Sequence, residues 1–336
     1  MLFKASCCYS VLSNNDLIML LEEYYKINNI KSLQLYRSFI GDVYFIEDDK
    51  QQYVMKIYKS LPLHKKNAKK SANVMDYLWK KGIIVPRVFK NNSNLNTTTI
   101  LAPEGEREVV VMHFINGKTM PVSYYNDVHR VIGRQLGLIR LHMNNYPLLD
   151  RLINIDEDHI INNFIEVMDV YFPNKIKEKN FFESYGVLLS RKIKELYSKQ
   201  PQSIGFCHGD FHNGNIIKTL KDDVAFFDFD ACGIGCNMFD IAVYCDKTDY
   251  FNLDKKNILN TQETLDIFLE GYTDLFPLTQ LEIDSIPLFI ALRHYELNAN
   301  IPINRAPIEG IHWLNDNWVD RQYTWLKEWC EIHHHL

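Results

Sequence analysis

One segment, residues 207–230 (CHGDFHNGNIIKTLKDDVAFFDFD), constrains the fold of this 336-residue chain more than any other. Short apolar runs flank a polar turn, which predicts a strand, a turn and a second strand. Such a hairpin brings its two ends together, so Asn215 and Asp228 are expected at the same end. Asp210 lies on the loop just before the first strand. The segment therefore predicts a group of oxygen-bearing side chains around one β-hairpin.

These residue types suit a metal ion and a proton acceptor. Amide and carboxylate oxygens are hard ligands, and Mg²⁺ completes its shell with waters and phosphate oxygens. We therefore interpret Asn215 and Asp228 as Mg²⁺ ligands. Asp210 is the candidate base, because a carboxylate on this loop can orient a hydroxyl and accept its proton late in phosphoryl transfer.

HGDFHNGN followed by FFDFD resembles the catalytic segment of the aminoglycoside phosphotransferase and choline kinase group, which shares the protein-kinase-like fold. The resemblance covers about residues 30–300 and implies a bilobal α+β fold. A small antiparallel β-rich N-lobe with one long helix would precede a larger α-helical C-lobe. It also implies transfer of the γ-phosphoryl group of ATP or GTP, with Mg²⁺, to a hydroxyl of a small molecule. The whole chain is similar to the amicoumacin kinases within this group.

The resemblance also implies residues that bind the nucleotide. Lys56, in the strand YVMKIY, matches the lysine that contacts the nucleotide phosphates. The turn SFIGDV matches the loop that covers the phosphates, with Gly41 as its single glycine. Backbone groups of the hinge strand would bond adenine, and the matching residues are Met112, His113 and Phe114.

Two further positions match residues that support the catalytic loop, namely His208 and Asp240. Asp240 would bond back to the loop, and it also suits the start of a helix. One position departs from the family pattern. The helix after the lysine strand usually carries a Glu that pairs with the lysine, whereas Asp76 is the only acid between Lys56 and Gly82. Either Lys56 is held differently, or the helix register differs from this interpretation.

The hydrophobic pattern predicts the main elements and two lobes. Residues 1–115 are expected to form the nucleotide-binding lobe, and residues 116–336 the helical lobe, with the catalytic loop at 205–230. Within the first lobe we expect three antiparallel strands and a fourth strand later in the chain. The predicted strands are Ser32–Phe39, Asp42–Glu47, Gln51–Tyr58 and Val109–Ile115; the predicted helices are 13–29, 64–81 and 127–145.

Charge is distributed unevenly along the chain. Residues 201–336 contain 9 Lys and Arg against 21 Asp and Glu, whereas residues 1–200 contain 28 against 21. This acidic half favours a cationic acceptor, although solvated surface acids would give the same balance. On a strand, Asp230 would share a face with Asp228 and could support the metal instead. The acids expected to contact the acceptor are Asp230, Glu296, Asp316 and Asp320.

Composition excludes several classes of protein. The net charge of −5 argues against a nucleic-acid binder. The sequence contains no window of 18 consecutive apolar residues, so no membrane span is expected. The seven cysteines have no disulfide-framework spacing, so a reducing cytoplasm is expected. Cys232 and Cys236 lack the second pair that a zinc site requires.

Three functional hypotheses remain from sequence. The first is a small-molecule kinase, whose acceptor could be an antibiotic with an amine, choline-like, a hydroxy amino acid or a sugar. The second is a protein Ser/Thr kinase, because the bacterial stress-response kinase of this fold also has a strand with adjacent Val and Tyr, like Val43 and Tyr44 here. The third is a nucleotide-binding regulator without catalysis, supported by the missing helix Glu. The acceptor and the oligomeric state are left open.

Overall fold

The structure is a computed structural model that describes residues 6–39, 41–60, 62–119, 126–221, 223–309 and 314–334. The side chains of residues 62–65, 126–127 and 304–309 are not described. The described chain divides into two compact units. The first unit comprises the described residues of Met1–Thr119 and Asn215–Ala231; the second comprises those of Met120–Gly214 and Cys232–Leu336.

An antiparallel sheet forms most of the first unit. Its order is β1-β2-β3-β6-β4, and β5 also pairs with β6. The predicted meander of three strands is confirmed, with ends that differ by a single residue. The bounds are β1 Ser32–Ser38, β2 Gly41–Glu47, β3 Gln52–Tyr58, β4 Val88–Phe89, β5 Thr98–Ala102 and β6 Gly105–His113.

Two helices accompany this sheet, α1 (Asn14–Tyr25) and α2 (Pro62–Lys80). The apolar face of α1 packs on the sheet, where Leu21, Met55 and Val109 are fully buried. The sequence predicted that α1 continues to residue 29. The helix ends earlier because Lys26 takes a left-handed conformation, with φ 56°, and its N–H bonds back to Leu21.

The first unit also contains the hairpin that the sequence placed with the catalytic loop. Strand β7 (Gly117–Thr119) pairs with β9 (Ile216–Thr219), which pairs with β10 (Val224–Phe226). The sequence predicted a single boundary between the two lobes after residue 115, whereas the structure assigns this later hairpin to the first unit. Residues 215–231 group with the N-terminal residues because β7 pairs with β9 and because α2 packs against the 3-10 turn at Phe229–Ala231.

Seven helices and one short β-ladder make up the described second unit. The ladder pairs β8 (Ile204–Cys207) with β11 (Gly233–Cys236). Among the described residues, no helix is both long and apolar enough to cross a membrane. The helices are α3 Asn126–Met143, α4 Glu157–Tyr171, α5 Ile176–Lys199, α6 Asn237–Cys245, α7 Lys255–Tyr272, α8 Gln280–Glu309 and α9 Asp316–Ile332.

Glycine allows α3 and α7 to approach closely. A Cβ at Gly133 would lie 2.1 Å from the carbonyl oxygen of Phe268, and a Cβ at Gly271 would lie 1.9 Å from that of Arg130. Both obstacles are backbone atoms, which cannot rotate away. A Cβ at Gly137, one turn along α3 from Gly133, would lie 3.1 Å from the flexible side chain of Leu275 and at an ordinary contact distance of 3.6 Å from the carbonyl oxygen of Tyr272.

This difference predicts opposite outcomes for the same substitution at two positions of α3. Gly133→Ala should lower the free energy of unfolding by about 2 kcal/mol, because the helices must move apart. Gly137→Ala should change it by less than about 1 kcal/mol, because Leu275 can shift and Ala favours the helix. Denaturant unfolding of both variants checks the prediction, and equal effects would contradict it.

Candidate active site

The strand–turn–strand prediction for the catalytic segment is confirmed. In the antiparallel pair of β9 and β10, Ile216 lies opposite Phe226. Beyond this pair, the N–H of Phe227 donates to the carbonyl oxygen of Asn215 at 3.1 Å. Asn215 and Asp228 therefore flank the same end of the hairpin, as the sequence predicted.

Asp228 follows β10 in an uncommon backbone conformation. Its φ is 65°, a left-handed value that non-glycine residues adopt rarely and often at functional sites. The carboxylate receives two cations: Lys56 Nζ lies 2.8 Å from Oδ1, and Arg37 Nη2 lies 3.4 Å from Oδ2. Only 17% of the Asp228 side chain is exposed, so this charge lies largely out of water.

Lys56 has a second carboxylate partner, which resolves the question of the missing helix Glu. Its Nζ lies 2.6 Å from Oδ2 of Asp230, whose other oxygen accepts a hydrogen bond from the Tyr58 hydroxyl at 2.6 Å. Burial lowers the pKa of Lys56, but Asp228 and Asp230 raise this pKa well above its usual value, so Lys56 stays charged. Asp76 pairs instead with Lys80 on α2, at 2.6 Å.

The position of Asp230 corrects one sequence-based expectation. The sequence placed Asp228 and Asp230 on one face of a strand, but β10 ends at Phe226 and Asp230 lies in the 3-10 turn. Alternation along a strand therefore does not apply here. Asp230 is buried, and its carboxylate is engaged by Lys56 and Tyr58. Burial and the neighbouring Asp228 raise its pKa.

Two of the backbone amides near the expected nucleobase contacts have partners in the first unit. The N–H of His113 donates to the backbone carbonyl oxygen of Arg87 at 2.9 Å, and the N–H of Phe114 donates to that of Gln52 at 3.1 Å. These two amides are committed to the sheet, because β6 has strands on both sides at Met112. A role of Met112, His113 and Phe114 in nucleobase binding through their other backbone groups stays a prediction.

Gly41 has a packing reason to be glycine. It opens β2, and a Cβ there would lie 2.7 Å from the carbonyl oxygen of Ile57 on β3. Ile40, in the same predicted turn, lies outside the described residues. A role of Gly41 in phosphate binding stays a prediction.

In the second unit, Asp240 braces the loop that carries Asp210. Its carboxylate accepts hydrogen bonds from the N–H groups of His208 at 2.6 Å and Gly209 at 2.9 Å, which confirms the predicted bond back to the loop. Gly209 has φ 80°, a conformation that favours glycine. Burial raises the pKa of Asp240 to about 7 although both hydrogen bonds lower it. The ring of buried His208 accepts a hydrogen bond from the Asp210 N–H at 3.3 Å.

Arg293 is a charged partner of Asp210 that sequence reasoning missed. Its Nη2 donates to Oδ1 of Asp210, and its Nη1 donates to Oε2 of Glu296 at 2.5 Å. Burial raises the pKa of Asp210, but Arg293 and His212 lower it by more. The pKa of Asp210 is therefore well below its usual value. The three-residue spacing of Arg293 and Glu296 indicated a helical pair. Nothing in that spacing pointed to Asp210.

The remaining predicted acceptor acids have local partners. Glu296 is largely buried against Arg293, and burial raises its pKa. Asp320 lies 2.6 Å from Lys175, and Asp316 lies 3.9 Å from the same Nζ. Both of these aspartates are exposed at the start of α9, so Lys175 and water already compensate their charges.

The residues present fit a Mg²⁺ ion that has few protein ligands. Asn215 and Asp228 supply hard oxygens at one end of the hairpin, and Asp228 already attracts two cationic side chains. Within the described ranges, no group of three or more His, Cys, Asp or Glu is placed to hold a metal. Any ion here would thus depend on phosphate oxygens and water for the rest of its shell.

Comparison with known proteins gives a family match. The sequence matches the model of the phosphotransferase enzyme family over residues 33–272. An uncharacterized protein of Synechocystis sp. is 22% identical over 278 residues, covering 83% of this chain and 75% of that protein.

Solved structures of kinases share the fold. A microcompartment-associated aminopropanol kinase superposes with a TM-score of 0.72 at 19% identity, covering 96% of this chain and 97% of its own. An amicoumacin kinase, solved with AMP-PNP, Ca²⁺ and Ami, gives 0.71 at 17% identity, covering 96% and 94%. These similarities confirm the predicted α+β, protein-kinase-like fold.

The contacts of Lys56 predict that Asp230, and not Asp76, holds this lysine. Asp230→Asn should weaken nucleotide binding about 10-fold, or about 1.4 kcal/mol, because Lys56 loses one of two charged partners. Asp76→Asn is the matched control and should bind nucleotide like the unaltered protein. Titration calorimetry with ATP and Mg²⁺ measures both. Weaker binding in Asp76→Asn alone would restore the helix acid to the role that the family pattern gives it.

Proposed function

The chain belongs to the phosphotransferase enzyme family, and on this basis we propose that it is a small-molecule kinase that transfers the γ-phosphoryl group of ATP to a hydroxyl. The observation that carries the proposal is the charged group at the hairpin end. There, Lys56 pairs with Asp228, and Asn215 flanks the same end. GTP is the alternative donor.

In this proposal, the first unit binds the nucleotide. Lys56 contacts the phosphates, and Arg37 lies at the same carboxylate as a second cation. Asn215 and Asp228 hold Mg²⁺, which when bound would neutralise charge on the transferred phosphoryl group. We assign the nucleobase to backbone groups of Met112, His113 and Phe114, with the N–H groups of Ile115 and Asn116 next in the chain as further donors.

Asp210 is the base in this proposal. Asp210 accepts a hydrogen bond from the acceptor hydroxyl and aligns its oxygen for in-line attack. A bond forms between that oxygen and the γ-phosphorus, while the bond to the bridging oxygen of the β-phosphate breaks. The hydroxyl proton moves to Asp210 late in this step, which suits a carboxylate with a lowered pKa.

We propose that the acceptor carries an amine as well as a hydroxyl, as in an aminoglycoside-like or amicoumacin-like antibiotic. One support is the acidic balance of residues 201–336. The other is the position of Glu296 near the base, since Arg293 contacts both Glu296 and Asp210. Two of the solved kinases are named for an aminopropanol and for amicoumacin. Phosphorylation would then inactivate an antibiotic or activate an amino alcohol in the cytoplasm.

The hypothesis of an inactive regulator loses its support. It rested on the missing helix Glu, and Asp230 provides the buried carboxylate that Lys56 requires. A hydroxylated peptide panel, added to the acceptor screen, tests the protein kinase alternative.

Three substitutions separate the role of Asp210 from the roles of Asp228 and Asn215. Asp210→Ala should lower kcat about 10²- to 10⁴-fold and keep nucleotide affinity within a few-fold, because the base does not hold ATP. Asp228→Ala should raise the Mg²⁺ concentration needed for half-maximal rate, and Asn215→Ala should do so less, because the amide carries no charge. Initial rates over a Mg²⁺ series measure both. Unchanged Mg²⁺ curves would remove the metal assignment.

The nature of the acceptor is tested by ATP consumption with amine-bearing antibiotics, amino alcohols, hydroxy amino acids and sugars, using mass detection of the added phosphate. We expect the best acceptor to be cationic, with a KM that rises with NaCl because salt screens the attraction. The nucleotide KM at saturating Mg²⁺ should change little. An uncharged or anionic best acceptor would contradict the proposal.

A further inference from the structure

The side chain of Asp210 is held by a buried cation. Nη2 of Arg293, on α8, donates to Oδ1 of Asp210. Only 7% of the Arg293 side chain is exposed, against 29% of the Asp210 side chain. One oxygen of the carboxylate is thus fixed from inside the second unit, while the side chain as a whole remains accessible.

Arg293 is itself fixed by Glu296, one turn further along α8. The distance from Nη1 of Arg293 to Oε2 of Glu296 is 2.5 Å, and 13% of the Glu296 side chain is exposed. A guanidinium presents its donors in a rigid, planar fork, so two carboxylates on two different nitrogens leave it little freedom. The series Glu296, Arg293, Asp210 therefore sets the direction of the Asp210 carboxylate.

Other charged groups act on Asp210 as well. Nε2 of His212 lies 3.5 Å from Oδ2 and favours the ionised carboxylate, as does the nearby ring of His208. Asp240 and Glu296 act in the opposite sense, because like charges repel. Burial raises the pKa of Asp210, and Arg293 contributes the largest lowering of that pKa. Arg293 keeps its charge at every working pH.

We propose that Arg293 is a positioning residue for phosphoryl transfer, which orients the Asp210 carboxylate toward the acceptor hydroxyl and keeps it negatively charged. The inference rests on the proposed function and deepens it. Arg293 exchanges no proton in the reaction and acts through Asp210. With Oδ1 held by the guanidinium, the remaining lone pairs of the carboxylate receive the hydroxyl proton.

The test compares Arg293→Gln with Arg293→Lys. The glutamine variant should lose about 10- to 100-fold in kcat, the cost of a misplaced catalytic group, while the nucleotide KM stays within about threefold. Loss of the cation raises the pKa of Asp210. Since the ionised carboxylate is the active form, the acidic limb of kcat/KM should move to higher pH. The lysine variant keeps a charge without the fork and should recover part of kcat.

Arg134→Gln is the matched control. Nη1 of Arg134 lies 3.1 Å from Oδ2 of Asp274 in the same unit, and about half of each side chain is exposed. The variant makes the same change of charge in an exposed ion pair, which contributes little to stability. It should leave kcat and the pH profile unchanged.

A second variant guards against loss of the fold. Arg293→Gln leaves Asp210 and the largely buried Glu296 without their cation, so thermal unfolding is measured alongside the rates. Arg293→Gln combined with Glu296→Gln removes one of these charges and should fold, yet remain slow because Asp210 is still not held. Added guanidinium ion should partly restore the rate of Arg293→Ala, a rescue that a purely structural defect would not give.

A readout without acceptor separates the two possible failures. Carbon-13 NMR of labelled aspartate follows the Asp210 carboxyl, identified by its absence in Asp210→Asn, and its pKa should rise in Arg293→Gln. An active wild-type enzyme with the same Asp210 titration or the same kcat in Arg293→Gln would overturn the role of Arg293. A wild-type chain that phosphorylates no acceptor, while Asp210 still titrates as expected, would instead overturn the proposed function, and the catalytic role of Arg293 with it.

Discussion

Lys56 carries its charge inside the first unit, between two carboxylates that follow β10. Taking three charges out of water is costly, and hydrogen bonds such as that of Tyr58 to Asp230 offset only part of this cost. A cluster of apolar side chains would stabilise the same contact more simply. The charged group of Lys56, Asp228 and Asp230 is therefore better explained by chemistry. It joins the hairpin to β3 and thereby fixes the hairpin end that carries the expected metal ligands.

Each of the two carboxylates expected to act in catalysis is paired with a largely buried cation, but the cations differ. Asp228 has the ammonium of Lys56, a compact charge that can exchange partners when phosphates and a metal ion arrive. Asp210 has the guanidinium of Arg293, whose other nitrogen is occupied by Glu296. A lysine suits a carboxylate that must change partners, and an arginine suits one that must keep its direction.

Sequence reasoning succeeded where the information is contiguous. The hairpin, with Asn215 and Asp228 at one end, was predicted because the apolar runs and turn residues lie together in the chain. The bond from Asp240 to the loop was predicted only from the family resemblance. The partner of Lys56 was not found, because Asp230 is 174 positions away and its turn breaks the strand pattern. Arg293 is 83 positions from Asp210, and on sequence it reads as half of an ordinary helical ion pair.

The first unit is discontinuous in sequence, since residues 215–231 complete it after about a hundred residues of the second unit have intervened. During synthesis, the N-terminal sheet emerges from the ribosome long before the hairpin that supplies the carboxylates for Lys56. Until then Lys56 and the free side of β7 have no native partners in that hairpin. Completion of the first unit therefore waits until residues 215–231 have been synthesised, and a fragment ending at residue 119 would lack the expected metal ligands.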